Sequence, residues 1–425
     1  MESPNPPRAE PRDVLERLKS EGTRFVELWF TDLSGKPWRV NLPASHVDEA
    51  AFAEGVTLDG PSTGRPWRGL FTLLPDPASC FSHPVAKTPT LAIFCDVRET
   101  ESRSTAGDAR GALRRAQQQL GRSGVADRLV VGAECEFFLL EEAHGAAACE
   151  EEVWDFLRSL ALGLEEAGIV VEGFRYGPAS GQGRVQMRWD QSLKIADQVQ
   201  LYQHVAKTIA RRSGRVATFV PKPLPGFGAA SMPVHHSLWI GDKNLFHKDD
   251  GWALTSDVCR WWAGGLLAHA PSLLAFCSPT VNSYRRLSVP GSPTALVLSR
   301  AKAEAACRIP ARFIEPRARR LKFRLCDASV NPYLAFAAML MAGLDGVMRK
   351  LDPPLEDARS PFFLPRSLDE ALEALETDHA FLEEGGVFAP ELISAWISQR
   401  RQSQVDALRA LPHPMERLLQ IDHGF

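Results

Sequence analysis

Two carboxylates set the question this chain poses: Glu134 and Glu136, in Gly132-Ala133-Glu134-Cys135-Glu136-Phe137-Phe138, directly after the apolar run Leu129-Val130-Val131. The run predicts a buried strand, and side chains two apart on a strand share a face, so the two carboxylates project together. Held side by side they repel unless a proton, a cationic side chain or a divalent metal sits between them. The other reading of the same stretch is a half-exposed strand carrying two solvated glutamates. Other residues offer less chemistry. His235 and His236 are adjacent on a predicted strand and so face opposite ways, a poor arrangement for one metal ion. Gly226-Phe227-Gly228 lacks the third glycine and the strand-to-helix context of a dinucleotide fingerprint, and no GxxxxGK[ST] phosphate loop occurs.

The elements that must position these groups divide the chain. At 425 residues it is long enough for a sizeable core and more than one domain. Residues 1–12 are rich in proline and charge and read as a flexible tail. Residues 13–104 form a small strand-rich unit: a helix at Asp13–Ser20, a hairpin turning at Leu33-Ser34-Gly35-Lys36, and a strand at 90–96. Composition shifts at Ala106–Ser123, whose alanines, arginines and glutamines are spaced for a helix, and a second domain is predicted over 105–425. Within it the pattern predicts helices at 151–167, 192–213 and 256–276, and strands at 169–172, 184–189, 217–220, 308–309 and 321–325. Asn331 caps a further helix with Pro332 at its first position, and Tyr333 to Val347 is apolar on nearly every face, which predicts burial.

Composition excludes several roles. Charged residues are 24% and hydrophobic ones 44% of the chain, and a formal net charge of −3 gives no pull toward nucleic acid or an anionic membrane. No apolar run approaches the ~20 residues that span a bilayer, and Met1-Glu2-Ser3-Pro4 begins no signal pattern, so a cytoplasmic location is expected. The eight cysteines lie in apolar contexts without a CxxC pair and read as buried thiols.

Taken in order, the motifs resemble the glutamine synthetase family over nearly the whole chain. They are Phe30-Thr31-Asp32-Leu33-Ser34-Gly35-Lys36, Asp59-Gly60-Pro61-Ser62, the Glu134/Glu136 stretch, Ala217-Thr218-Phe219-Val220-Pro221-Lys222-Pro223, His236-Ser237-Leu238-Trp239, Asn331-Pro332-Tyr333-Leu334-Ala335-Phe336-Ala337-Ala338 and His413-Pro414. The resemblance implies an α+β fold: an N-terminal β-grasp domain plus a C-terminal glutamine synthetase-type catalytic domain, a curved antiparallel sheet backed by helices. It also implies rings of six subunits, often paired into a dodecamer, with Asp59 completing a neighbour's site. The family reaction, in nitrogen metabolism, is ATP-dependent ligation of an amine to a γ-carboxylate through an acyl phosphate. Carboxylate-bound divalent metals neutralise phosphate charge there, and arginines hold phosphates and substrate.

Matched residue by residue, the chain departs from that pattern at the metals. Glu134 and Glu136 fall on the first two carboxylate ligands. The next two fall on Tyr176 and Arg184, the histidine ligand on Pro233, and the last glutamate on Lys322. If Arg184 and Lys322 project inward, they pair with the glutamates and replace the metals; the alternative is that they snorkel to solvent. Arg286, Arg308, Arg320 and Arg324 fall on substrate- and phosphate-binding arginines, with His235 and Ser237 nearby, whereas the flap glutamate falls on Pro293 and another phosphate-side arginine on Ala303. A core of structural ion pairs is the other reading of those arginines.

Three functions follow as expectations. One is a glutamine synthetase-like pseudoenzyme whose oligomeric shell serves assembly, regulation or binding of a small carboxylate or amine, alone or in a mixed ring with a paralogue, with no cofactor. Another is an ATP- and Mg²⁺-dependent carboxylate–amine ligase acting on an unusual amine. The third is a metal-free enzyme using Glu134, Glu136, Lys322 or His235 as acid or base, with Asp59 contributed by a neighbour.

Overall fold

The predicted turn at Leu33-Ser34-Gly35-Lys36 closes an antiparallel pair, β1 (Phe25–Thr31) against β2 (Pro37–Pro43). Gly35 takes a φ of 94°, which glycine adopts without the strain of a Cβ, and Asp32 Oδ1 accepts from the Lys36 amide at 3.0 Å. The computed structural model describes residues 9–60, 69–100, 107–142, 145–223, 228–356 and 363–410. Pro61-Ser62, Gly226-Phe227 and His413-Pro414 of the sequence motifs lie outside these described residues.

The N-terminal sheet adds β3 (Val56–Asp59), β4 (Leu70–Pro75), β5 (Phe81–Ser82) and β6 (Thr90–Glu99), in spatial order β2-β1-β6-β4-β3 with β5 also on β6. β1 runs parallel to β6, and the connections between them carry the other strands. Val26, Leu28, Phe30, Phe71, Leu73, Leu91 and Ile93 form its core with Val14 and Leu18 of the helix Pro11–Ser20. That helix takes in Pro11 and Arg12 of the expected tail, because proline suits a first turn and Asp13 accepts from the Glu10 amide at 2.8 Å.

The second domain contains β7 (Arg128–Ala133), β8 (Glu136–Glu141), β9 (Val171–Tyr176), β10 (Gln182–Met187), β11 (Asp190–Gln191), β12 (Arg215–Thr218), β13 (Val234–Ile240), β14 (Lys243–Asn244), β15 (Ala295–Ser299), β16 (Ala305–Arg308) and β17 (Leu321–Phe323). They form two sheets, β12-β8-β10-β9 and β11-β7-β13-β17-β16-β15 with β14 on β13, antiparallel except for β15 and β16. Helices Ala109–Arg122, Glu150–Glu166, Ser192–Arg212 and Pro332–Arg349 cover them.

Two expectations are corrected. Glu134 and Glu136 do not share one strand: β7 ends at Ala133 and β8 starts at Glu136, in different sheets. The chain bends between sheets there, yet the amides of Glu134 and Glu136 still bond to Pro233 O and Ser231 O, so strand-like alternation survives the break. The helix expected over 256–276 is two, Asp257–Ala268 and Ala270–Cys277, because Pro271 lacks the N–H that would continue the first.

His269 sits at that break and ties three elements together. Its Nδ1 lies 2.8 Å from Asp378 and its Nε2 2.9 Å from Asp345, and its ring stacks on Phe381 at 3.9 Å. Burial works against charging the ring, but bonds to both carboxylates outweigh it and raise the pKa above the ordinary histidine value. A raised folded-state pKa contributes stability that is complete below the unfolded value and disappears as pH rises through the folded one. Compared with His269→Gln, the wild type should therefore lose an advantage of about 1–2 kcal/mol between pH 6 and pH 9. Calorimetric melting of both proteins across that range checks this, and parallel curves would refute it.

The two domains meet at Arg110. Its guanidinium reaches Asp76 (2.9 Å), Asp96 (2.6 Å) and Asp197 (2.8 Å), and Arg114 also contacts Asp76 (3.0 Å) and Asp96 (2.8 Å). Tyr333 donates to Asp197 at 2.7 Å. A second link is Asn331: its Oδ1 accepts from the Tyr333 and Leu334 amides, capping the helix, while its Nδ2 donates to Asp32 O (3.2 Å) and Leu33 O (3.3 Å) of the N-terminal hairpin. Among the described residues, no helix is long and apolar enough to cross a membrane.

Candidate functional site

Strand register gathers the site. His235 on β13 lies opposite Gly132 on β7 and opposite Lys322 on β17, and Arg184 on β10 lies opposite Glu136 on β8. All three basic residues converge on Glu134, in the bend between sheets. Glu134 Oε2 accepts from Arg184 Nη1 at 2.5 Å and from Lys322 Nζ at 3.0 Å, and Oε1 lies 2.7 Å from His235 Nε2. Glu136 accepts from the Ser231 amide and hydroxyl, each at 2.8 Å, and from Gln182 at 3.4 Å, with Arg184 at 3.8 Å.

The electrostatics follow from this crowding. Burial raises the Glu134 pKa, but the hydrogen bond from His235 and the charges of Lys322 and Arg184 carry it well below the carboxylate range. Burial pushes His235 down to about 4 despite Glu134, with Lys322 and Arg320 opposing its charge as well. An imidazole this deeply buried between cations is neutral at pH 7, so His235 donates from Nε2 and Lys322 and Arg184 supply the counter-charge. Its Nδ1 is buried with no partner among the described residues. Burial also lowers the Lys322 pKa, against the pull of Glu134.

An aromatic and cationic stack covers the cluster. Trp189 lies 4.6 Å from His235, ring to ring, and packs so closely on Gly132 that a Cβ there would come within 2.6 Å of the indole nitrogen. Arg320 is sandwiched at 2.9 Å from the Trp189 centroid and 3.6 Å from that of Phe313. Burial lowers its pKa to about 9; Glu172 opposes that shift and Arg312 adds to it.

The remaining sequence-predicted residues are placed as follows. Arg286 is buried, donating to Leu325 O at 2.8 Å and lying 3.5 Å from Asp327. Arg324 donates to the carbonyls of Ala303 and Ala305, and Arg308 to that of Arg300 at 3.4 Å. Ser237 accepts from Trp239 at 2.9 Å on the face of β13 that carries His235. His236 takes the other face, accepting from Trp262 at 3.0 Å in the core. Tyr176 ends β9 opposite Gly183, and Pro233 precedes β13. Asp59 ends β3, an exposed edge strand in a different sheet from every member of the cluster. Sequence reasoning missed Trp189, Phe313, Gln182 and Ser231; only Trp189 carried a signal, as the large residue ending the alternating run from Arg184.

These residues do not fit a divalent metal. Mg²⁺ asks for several free hard oxygens around one point, whereas both oxygens of Glu134 are engaged by basic side chains and one oxygen of Glu136 is held by Ser231. Among the described residues no group of three His, Cys, Asp or Glu could hold an ion. What the arrangement offers is a fixed internal counter-charge for one carboxylate, with the Arg320 guanidinium stacked on Trp189 beside it.

Residues 22–100 match the family profile described as glutamine synthetase, beta-Grasp domain, and residues 106–419 match glutamine synthetase, catalytic domain. The chain is 36% identical to the glutamine synthetase of Mycolicibacterium smegmatis over 476 residues, covering 96% of this chain and 98% of the relative. It is 35% identical to that of Salmonella typhimurium over 462 residues, covering 95% and 97%. Among solved structures, a cryoEM glutamine synthetase of Plasmodium falciparum shares the fold with a TM-score of 0.87 at 21% identity, covering 98% of this chain and 99% of that one. Apo GmaS without ligand superposes with a TM-score of 0.83 at 27% identity, covering 96% and 99%.

Proposed function

This chain belongs to the glutamine synthetase family in both of its domains, and we propose that it is a member in which fixed side-chain cations stand in for the metals, so that it does not perform metal-dependent ligation. It serves instead as an oligomeric shell of the family type, which binds a small carboxylate or amine and needs neither Mg²⁺ nor ATP. The observation that carries this reading is the convergence of Arg184 and Lys322 on one oxygen of Glu134. An ATP-dependent ligase must offset the charge of a polyphosphate as an acyl phosphate forms, and in this family divalent ions do so. Here a Mg²⁺ ion entering beside Glu134 meets two cations already in place, and its ligands are already engaged.

A metal-free acid–base role for the same cluster has less support. A general acid or base works best with a pKa near the working pH, and Glu134 is displaced far below it while His235 is pushed to about 4. The ligase reading draws on the full-length likeness to named glutamine synthetases and on the GmaS fold match.

Calorimetric titration of the assembled protein with ATP, once with Mg²⁺ and once with EDTA, separates them. The expected result is no heat that depends on Mg²⁺. Tight binding that requires Mg²⁺ would overturn the proposal and install the ligase in its place.

A further inference from the structure

We propose a second ligand site, behind the helix Val281–Leu287, that takes a small amphiphilic carboxylate: an aromatic or branched hydrocarbon body ending in –COO⁻. A cleft of about 480 Å³ lies there, a size that holds small organic ligands. Tyr284, Leu368 and Val405 supply an apolar lining, Arg285, Arg366 and Arg409 stand around it, and Asp369 adds one carboxylate. Arg409 is paired with Asp369 at 2.9 Å, whereas Arg285 and Arg366 form no ion pair among the described residues. Unpaired guanidinium groups beside an apolar surface complement a ligand with one charged end and one greasy end.

The site is separate from the Glu134 cluster yet mechanically close to Arg286. Val281, Tyr284, Arg285 and Ser288 recur at helical spacing and line the cleft, while Asn282 and Arg286 point the other way. Arg286 donates inward to Leu325 O at 2.8 Å, and Asn282 holds both backbone groups of Lys222, at 2.7 and 2.8 Å. An occupant of the outer face thus presses on the helix whose inner face sets Arg286 and the backbone of Lys222.

The probe is phenylacetate, titrated calorimetrically into the full-length assembled protein, with benzyl alcohol and inorganic phosphate as controls. Phenylacetate should bind and both controls should bind at least about tenfold more weakly. The double variant Arg285→Gln/Arg366→Gln should weaken phenylacetate about tenfold or more, the loss expected for charge-assisted hydrogen bonds. Ser288→Trp, which fills the cleft from an exposed position and leaves the arginines intact, should abolish binding with an unchanged melting temperature. Arg308→Gln, at the end of β16 and outside the cleft, should leave the affinity as it is. Absent phenylacetate binding, phosphate binding as tightly, full affinity in the double variant, or loss in Arg308→Gln instead would each overturn the proposal.

Discussion

Glu134→Gln should unfold about 3–5 kcal/mol more easily than the wild type when urea denaturation is followed at pH 7. The substitution keeps the shape of the side chain and removes only its charge. Arg184, buried, and Lys322, half-buried, which share Glu134 Oε2 at 2.5 and 3.0 Å, are then left as neighbouring cations, with Glu136 no nearer to Arg184 than 3.8 Å. Breaking one partner of a buried ion cluster costs far more than the cluster is worth as a whole. The triple variant Glu134→Leu/Arg184→Met/Lys322→Met, which removes every charge at once, should accordingly recover most of the loss. The pH dependence carries a sign as well. A depressed carboxylate pKa contributes stability above the unfolded value and loses it as pH falls through the folded one. Since Glu134 lies well below the usual range, its contribution persists into acid solution. A Glu134→Gln loss under 1 kcal/mol, or a triple variant no better than the single one, would show that other groups neutralise these cations.

The second large effect is at the domain junction. Arg110→Met should cost about 3–5 kcal/mol and split one calorimetric transition into two. Asp76 and Asp96 belong to the N-terminal unit and Asp197 to the helix Ser192–Arg212, so one guanidinium neutralises carboxylates from both domains. Burial raises the Asp76 pKa, yet Arg110 and Arg114 hold it at about 2. The Asp76 contribution is therefore complete above the unfolded carboxylate value and fades only as pH falls toward 2. Arg110→Lys should retain little, because an ammonium cannot serve three carboxylates with the geometry of a planar fork. A single undiminished transition in either variant would mean that Arg114 and the hairpin contact are enough to join the domains.

Some of this was legible in the sequence because it rests on local rules. The hairpin at Ser34-Gly35, the Asn331 cap before Pro332 and the opposed faces of His235 and His236 all follow from turn chemistry, capping and the two-residue period of a strand. Matching the family motifs drew attention to Arg184 and Lys322, but not to which oxygen they seek. That depends on register between strands far apart in sequence. The break at Glu134-Cys135 was hidden because a chain can alternate sides without staying in one sheet. Arg110 looked like any helical arginine, since its three partners lie 14, 34 and 87 positions away. The enclosure of Arg320 by Trp189 and Phe313 was likewise invisible, as Trp189 is brought to it from far along the chain and Phe313, though close in sequence, sits in an irregular connection whose path no local rule sets.

The Asn331 side chain joins chain segments 299 positions apart. During synthesis, the hairpin it clasps leaves the ribosome first and has no Asn331 to meet. At about 5–20 residues per second, roughly 15–60 s pass before that partner is made. The Arg110 junction can form before then, but the backbone carbonyls of Asp32 and Leu33 must wait out that interval without their clasp, and a chaperone or a finished neighbouring subunit has its opening there, before the chain can close upon itself.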